Sequence, residues 1–505
     1  MRTSAYFTIA VLWAASPAAA ETPEAACSRL ADIRLKDVQA LSATTSAAEE
    51  DLPAFCEVTG TIRPTTSFVV RFPLQDWNGK FYQTGCGGFC GQLITDSEGA
   101  NAISTGLRRN YAVATMDGGH WGSSNQDGRW AWNDPVAEDG WGWRATQETT
   151  RVAKAMVKEF YGQDPRYSYF EGCSTGGRMA HMVTLRQPDD FDGVLSGAPA
   201  TDYPGLVATL FSWLSQANTD ENGGVIVSEA DAALAGEAVL ASCDAADGIE
   251  DGVISDPMSC QPNFASVTCE EGQNEQCLSP EKIAAIERFM TPPQDSAGNV
   301  LYPSRIEPGS ENFWPVRLVG EAPVVQRYAN GFLPYMAFDQ DPGPGFTTSD
   351  YDFDRDPPLS AGMKEVYNSD DPDLSAFRDS GGKLLVWHGL SDVIVPAGKS
   401  IDHHEKITDQ HGDETAEFAR LFLVPGMNHC GGSNDGPGPD WAGFDALTAL
   451  EAWVEEGVAP EQIPAVKTVD GQEAWSRPIC AYPAQAVFSG EGDWRRSQGW
   501  SCQAD

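Results

Sequence analysis

The ten residues 170–179, FEGCSTGGRM, restrict the fold more than any other stretch of the chain. They begin at the end of an apolar run, YSYFEG, and lead into GGRMAHMVTL, which has the composition of a helix. Between the two lies Gly172-Cys173-Ser174-Thr175-Gly176, a G-x-S-x-G pattern with a further glycine at 177. A strand that passes through so tight a turn into a helix exposes Ser174 Oγ at the edge of a sheet, and the small neighbours prevent collisions at the bend. The helix N-terminus points its amides at the same place, which makes the Thr175 N–H a candidate oxyanion donor. An activated serine on an α/β scaffold is the expectation.

The same alternation recurs on both sides. FVVRFP and YAVATMD have the pattern of buried strands, and TQETTRVAKAMVKEFYG places Val152, Met156 and Phe160 at helical spacing before a stop at Gly162. FDGVLSGAPA, KLLVWHG and RLFLVPG supply further strands, and FDALTALEAWVEEG is a helix closed by Gly457. Strands alternating with helices predict a parallel sheet covered on both faces. Residues 204–379 break this rhythm. They carry two helices, SEADAALAGEAVLASC and SPEKIAAIERFM, the second with Ser279 as N-cap and Pro280 at its first position, among Pro, Gly and Asp clusters. The expected organisation is a sheet domain in two parts, 21–203 and 380–505, with 204–379 inserted as a lid over the sheet.

The first 20 residues, MRTSAYFTIAVLWAASPAAA, have an arginine, an apolar stretch and small residues at Ala18 and Ala20, the pattern of a secretory leader cleaved after Ala20. The stretch is shorter than the roughly 20 apolar residues a membrane span needs. A secreted or periplasmic protein is expected. With 73 acidic against 33 basic side chains, a formal charge of −40, nucleic acid and anionic membrane surfaces are excluded as partners. Oligomeric state leaves no trace in the sequence, and a monomer is the expectation. The twelve cysteines fit disulfides in an oxidising compartment, although spacing alone does not pair them.

A nucleophilic serine needs a base and an orienting acid, which in such folds follow it in the order acid, then histidine. Of seven histidines, His429 lies in RLFLVPGMNHC, in a loop just past a strand, and Asp392 lies in KLLVWHGLSDVIVP, just past the strand before. His388 sits at a strand end and reads as structural; His403 and His404 fall in a helix and read as surface residues; His120 precedes the serine and breaks the order. Cys173 directly precedes Ser174 and Cys430 directly follows His429. If serine and imidazole are in contact, the two cysteines fall near the roughly 4.4–6.8 Å that a disulfide spans between Cα atoms. Cys173 then staples the site and is not a second nucleophile.

Cys173-Ser174 with His429-Cys430, the intervening Asp392, and the tail RPICAYPAQAVFSGEGD together resemble the tannase and feruloyl esterase family, over nearly the whole chain beyond the leader. The resemblance implies an α/β-hydrolase fold with a large lid, and a small-molecule substrate that is an ester of an aromatic acid, phenolic or terephthalic. The family includes enzymes acting on mono(2-hydroxyethyl) terephthalate, which is the alternative activity. It implies a second oxyanion donor in KFYQTGCGGFCGQ, at Gly87 or Gly88. It also implies a structural calcium in the lid loop CDAADGIEDGVISDPMSC, held by Asp244, Asp247 and Asp251 side chains with the Ile249 and Val253 carbonyls. Family pattern suggests the bridges Cys27–Cys56, Cys243–Cys260, Cys269–Cys277 and Cys480–Cys502, with Cys86–Cys90 as an extra local one. In FLPYMAFDQ, Tyr335 and Phe338 are candidates for an acyl pocket or for core packing. Two other readings use the same residues: a binding module on an inactive hydrolase scaffold, which intact Ser174, Asp392 and His429 argue against, and a serine peptidase.

Overall fold

The computed structural model describes residues 21–49, 51–96, 99–273, 275–432 and 436–504; the expected leader lies outside the described residues. Nine strands form one sheet: β1 (Val38–Ser46), β2 (Phe55–Ile62), β3 (Thr66–Pro73), β4 (Lys80–Thr84), β5 (Ala112–Met116), β6 (Tyr167–Cys173), β7 (Gly193–Gly197), β8 (Lys383–Gly389) and β9 (Ala419–Val424). Their order is β1-β2-β3-β5-β4-β6-β7-β8-β9. From β5 to β9 every neighbour is parallel, as expected. The pairs β1–β2, β2–β3 and β3–β5 are antiparallel, an addition to the parallel sheet that the strand–helix alternation predicts. For β1–β2 and β2–β3 the reason is chain length: their connections are short, and a parallel pairing would need a crossover of a dozen or more residues.

The parallel strands are buried on both faces, so their side chains alternate between two cores. Phe170 and Val194 point to one core and Tyr169 and Leu195 to the other; on β8, Leu384 and Val386 are divided in the same way from Leu385 and Trp387. The helix Ala145–Tyr161 covers the first face with Val152, Met156 and Val157, and ends at Gly162 with φ 73°. The helix Ala446–Glu456 covers the second face with Leu447, Leu450 and Trp453, and ends at Gly457, also at φ 73°.

Between β7 and β8 no strand joins the sheet among the described residues, and the segment is occupied by helices that include Phe211–Ala217, Glu229–Cys243, Pro280–Phe289 and Val324–Phe332. Ser279 Oγ accepts the Lys282 amide, which makes it the cap that the sequence predicts, and Ser228 with Asp231 forms a capping box. Six disulfides join all twelve cysteines in the expected pairs: 27–56, 86–90, 173–430, 243–260, 269–277 and 480–502. Past the last helix the chain forms a hairpin of β10 (Gln462–Val469) and β11 (Gln472–Cys480).

Candidate active site

Ser174 follows the last residue of β6 and precedes the helix Thr175–Arg186. Its backbone is turned to φ 65°, ψ −123°, a region that a non-glycine residue rarely occupies. The turn is held on both sides: the Ser174 amide donates to the Gly197 carbonyl at 3.0 Å, and the Ser174 carbonyl accepts from Arg178 N at 3.0 Å. Glycine at 176 is a steric requirement, because a Cβ there would collide with the Asn101 carboxamide. Arg178, one turn into the helix and fully buried, donates to the carbonyls of Gly142, Tyr367 and Trp141 at 2.8–3.0 Å. It ties the helix behind Ser174 to the inserted segment.

Asp392 and His429 come from the loops after β8 and β9, so all three residues lie at the carboxyl ends of parallel strands, where ligand sites of open α/β sheets form. His429 Nδ1 donates to Asp392 Oδ2 at 2.7 Å. The other carboxylate oxygen of Asp392 accepts the amides of Ile394 and Val395 at 2.8 and 2.9 Å. Burial by itself would raise the Asp392 carboxyl, but His429 and His388 hold it well below the usual carboxylate range, so it stays ionised. His388 is structural, as expected: it is buried, with Nδ1 on Ser400 Oγ at 2.8 Å and Nε2 on the Val395 carbonyl at 2.6 Å. His403 is buried beside His181, their rings 5.0 Å apart, which corrects the surface assignment. His120 is stacked on Trp130 at 3.7 Å and does not line the cavity at Ser174.

The Cys173–Cys430 bridge, with Cα atoms 5.9 Å apart, joins the residue before the serine to the residue after the histidine. Cys430 itself sits at φ 57°. Cys86–Cys90 closes the glycine-rich loop after β4. In that loop Gly88, at φ 57°, faces the same cavity as Ser174 and His429, and a Cβ on it would strike the Asn125 carbonyl and the Tyr328 hydroxyl. Gly87 is not among the residues lining that cavity. The cavity has a volume of about 180 Å³ and is walled by Tyr203, Leu206, Val207, Phe211, Val324 and Tyr328, mostly from the inserted segment. A larger cavity of about 390 Å³, between Met258, Leu390, Ile401 and Trp500, contains none of the three residues. The smaller cavity is the one that Gly88, Ser174 and His429 line together.

Residues 54–503 match the family described as tannase and feruloyl esterase. The chain belongs to this family. It is 34% identical to a mono(2-hydroxyethyl) terephthalate hydrolase from Piscinibacter sakaiensis, over 92% of this chain and 87% of that one. It is 31% identical to feruloyl esterase C from Talaromyces stipitatus, over 88% and 84%. The structure of feruloyl esterase B from Aspergillus oryzae superposes with a TM-score of 0.83 at 26% identity, covering 95% of this chain and all of that one. The fold is the α/β-hydrolase fold, and the protein is a carboxylic ester hydrolase of small-molecule esters.

The two aromatic residues suggested for the acyl pocket of this tannase-family chain are elsewhere. Tyr335 packs near Trp132 at 5.8 Å and Phe338 against Phe346 at 5.5 Å; neither lines the cavity at Ser174. The aromatic residues that line that cavity are Tyr203, Phe211 and Tyr328, whose sequence surroundings, YPGLVATLF and VVQRYANGF, read as ordinary helix core. In the loop expected to hold the family's calcium, the donors are all oxygen, and the Asp244 carboxyl is raised by burial and by the charges of Asp251 and Asp247. Among the described residues, however, no three His, Cys, Asp or Glu side chains converge into a metal-binding group. Asp244 accepts the amides of Asp251 and Gly252, Asp247 accepts from Ile249 N and Ser255 Oγ, and Asp251 pairs with buried Arg477 at 2.6 Å. The donor chemistry fits an oxygen-seeking cation; the present arrangement of the carboxylates does not enclose one.

Proposed function

We propose that this chain is an exported serine carboxylesterase that hydrolyses esters of aromatic acids through an acyl-enzyme. The observation that carries this reading is a shared cavity: Ser174, on its strained turn, faces it together with His429, whose Nδ1–H donates to the buried, ionised Asp392. Ser174 Oγ attacks the ester carbonyl and His429 Nε2 takes its proton, while Asp392 holds the ring and stabilises the imidazolium. The Thr175 and Gly88 amides receive the oxyanion. The proton passes to the departing alkoxide, and a water activated by the same histidine releases the acid. The rings of Tyr203, Phe211 and Tyr328 suit a planar acyl group, and about 180 Å³ is close to the roughly 150 Å³ of an apolar cavity that admits benzene. Six disulfides and the leader-like first residues support export. The names of the relatives support a phenolic or a terephthalic acyl group.

Kinetics on matched feruloyl, galloyl, terephthaloyl and aliphatic esters, with Ser174→Ala as control, test this reading. The expected outcome is turnover of the aromatic esters, an acyl adduct on the Ser174 peptide, and a loss of roughly 10⁴-fold or more in kcat for the variant. A Ser174→Ala enzyme that retains the wild-type rate would sink it. Calcium at the 244–253 loop is the second part of the proposal, its role structural. Elemental analysis should find about one equivalent of calcium, and chelation should lower the melting temperature, because a ligand bound to the native state alone stabilises it. A metal-free protein whose melting curve ignores chelator would remove the site.

A further inference from the structure

Strand β4 ends at Thr84, opposite Glu171, whereas β6 continues to Cys173. On the other side β7 stays paired with β6 to the end, Cys173 opposite Gly197. The residue immediately before Ser174 would therefore have a backbone N–H and C=O facing no strand. The side chain of Asn101 takes both: Asn101 Nδ2 donates to the Cys173 carbonyl at 3.1 Å, and the Cys173 amide donates to Asn101 Oδ1 at 3.0 Å. This two-point pairing replaces the missing strand residue. Asn101 comes from the loop before the short helix Ser104–Arg108, remote from the serine turn in sequence. Its carboxamide also fills the space left by Gly176 and lies beside Gly87. One side chain thus pairs with the serine turn and lies next to the glycine-rich loop, the two segments whose amides would receive the oxyanion.

We infer that Asn101 is a positioning residue that sets the spacing of the two oxyanion donors around Ser174. The inference rests on the serine esterase reading and adds to it a residue that touches no substrate. The effect should fall on the transition state, since a catalytic group misplaced by about 1 Å can lose around 100-fold in rate. Asn101→Ala should lower kcat by roughly 10- to 100-fold, leave KM within about twofold, and weaken benzeneboronic acid, which forms a tetrahedral adduct with an active serine, by the same factor as kcat. Asn101→Asp keeps the acceptor for the Cys173 amide but sets a carboxylate oxygen against the Cys173 carbonyl, and should lose at least as much. A folded variant of either kind with wild-type kcat overturns the inference, as does a loss confined to KM with boronate affinity unchanged. If the alanine variant fails to fold, the near-isosteric aspartate variant decides. An active Ser174→Ala enzyme would instead defeat the serine reading itself; an inactive one beside normal Asn101 variants defeats the Asn101 assignment alone.

Discussion

Glu171 lies three residues before Ser174, wholly buried, and accepts a hydrogen bond from the Tyr82 hydroxyl at 2.6 Å. Burial pushes its carboxyl up to about 8, against an ordinary value of 4.5. Between these two values the native state holds a proton that the unfolded chain has released, so this residue's contribution to stability falls as pH rises from 4.5 to 8. Glu171→Gln keeps an acceptor for Tyr82 without the charge. Its melting temperature should therefore fall less than that of the wild type across that window, and should exceed it at pH 8. Parallel melting curves for the two proteins from pH 5 to 8 would contradict the assignment. The residues proposed to carry the chemistry could be picked from the sequence because their types are scarce and their order is constrained: one serine in a glycine turn, then an aspartate and a histidine each just past an apolar strand. Asn101, Arg178 and Tyr203 were not legible. Their roles arise from contacts between segments far apart in sequence, and no local pattern marks a carboxamide that will pair with a distant strand end.

At the scale of elements, the helices and the parallel strands announced themselves through capping and periodicity. Ser279-Pro280, the stops at Gly162 and Gly457, and runs such as KLLVWHG are local signals with local causes. Strand β1, VQALSATTS, escaped because it is an edge strand, mostly polar and half-exposed. In the hairpin of β10 and β11, Pro464 and Pro478 sit opposite one another, and proline ordinarily argues against a strand. Tyr335 and Phe338 stayed open between pocket and core because aromatic density looks the same in both; they belong to the core. The loop carrying His429 has no long helix or strand of its own, and the Cys173–Cys430 bridge anchors it to the serine turn. Cys173→Ala/Cys430→Ala should lose most of its activity while five other bridges preserve the fold, read as an unchanged far-ultraviolet circular dichroism spectrum beside a kcat reduced by about 100-fold. Full activity in the doubly substituted protein would show that the loop holds its own geometry.

For the whole molecule, the architecture could be anticipated because the strand–turn–helix rhythm repeats on both sides of one long interruption. The antiparallel strands and the terminal hairpin, which follow from short turns and side-chain pairing, could not. The bridge between residues 173 and 430 also determines how the chain is held together as an object. It encloses the entire inserted segment, and each of the other five bridges closes within a single portion of the chain: 27–56 and 86–90 before the insertion, 243–260 and 269–277 inside it, 480–502 after it. A protease that nicks a surface turn such as 220–224 therefore separates nothing, because the two fragments remain one covalent body through a single sulfur–sulfur bond. On a gel without reductant the nicked protein should run as one band, and with reductant as two. Synthesis has the same dependency in time: Cys430 leaves the ribosome 257 residues after its partner, so this link can form only when most of the chain has already been made.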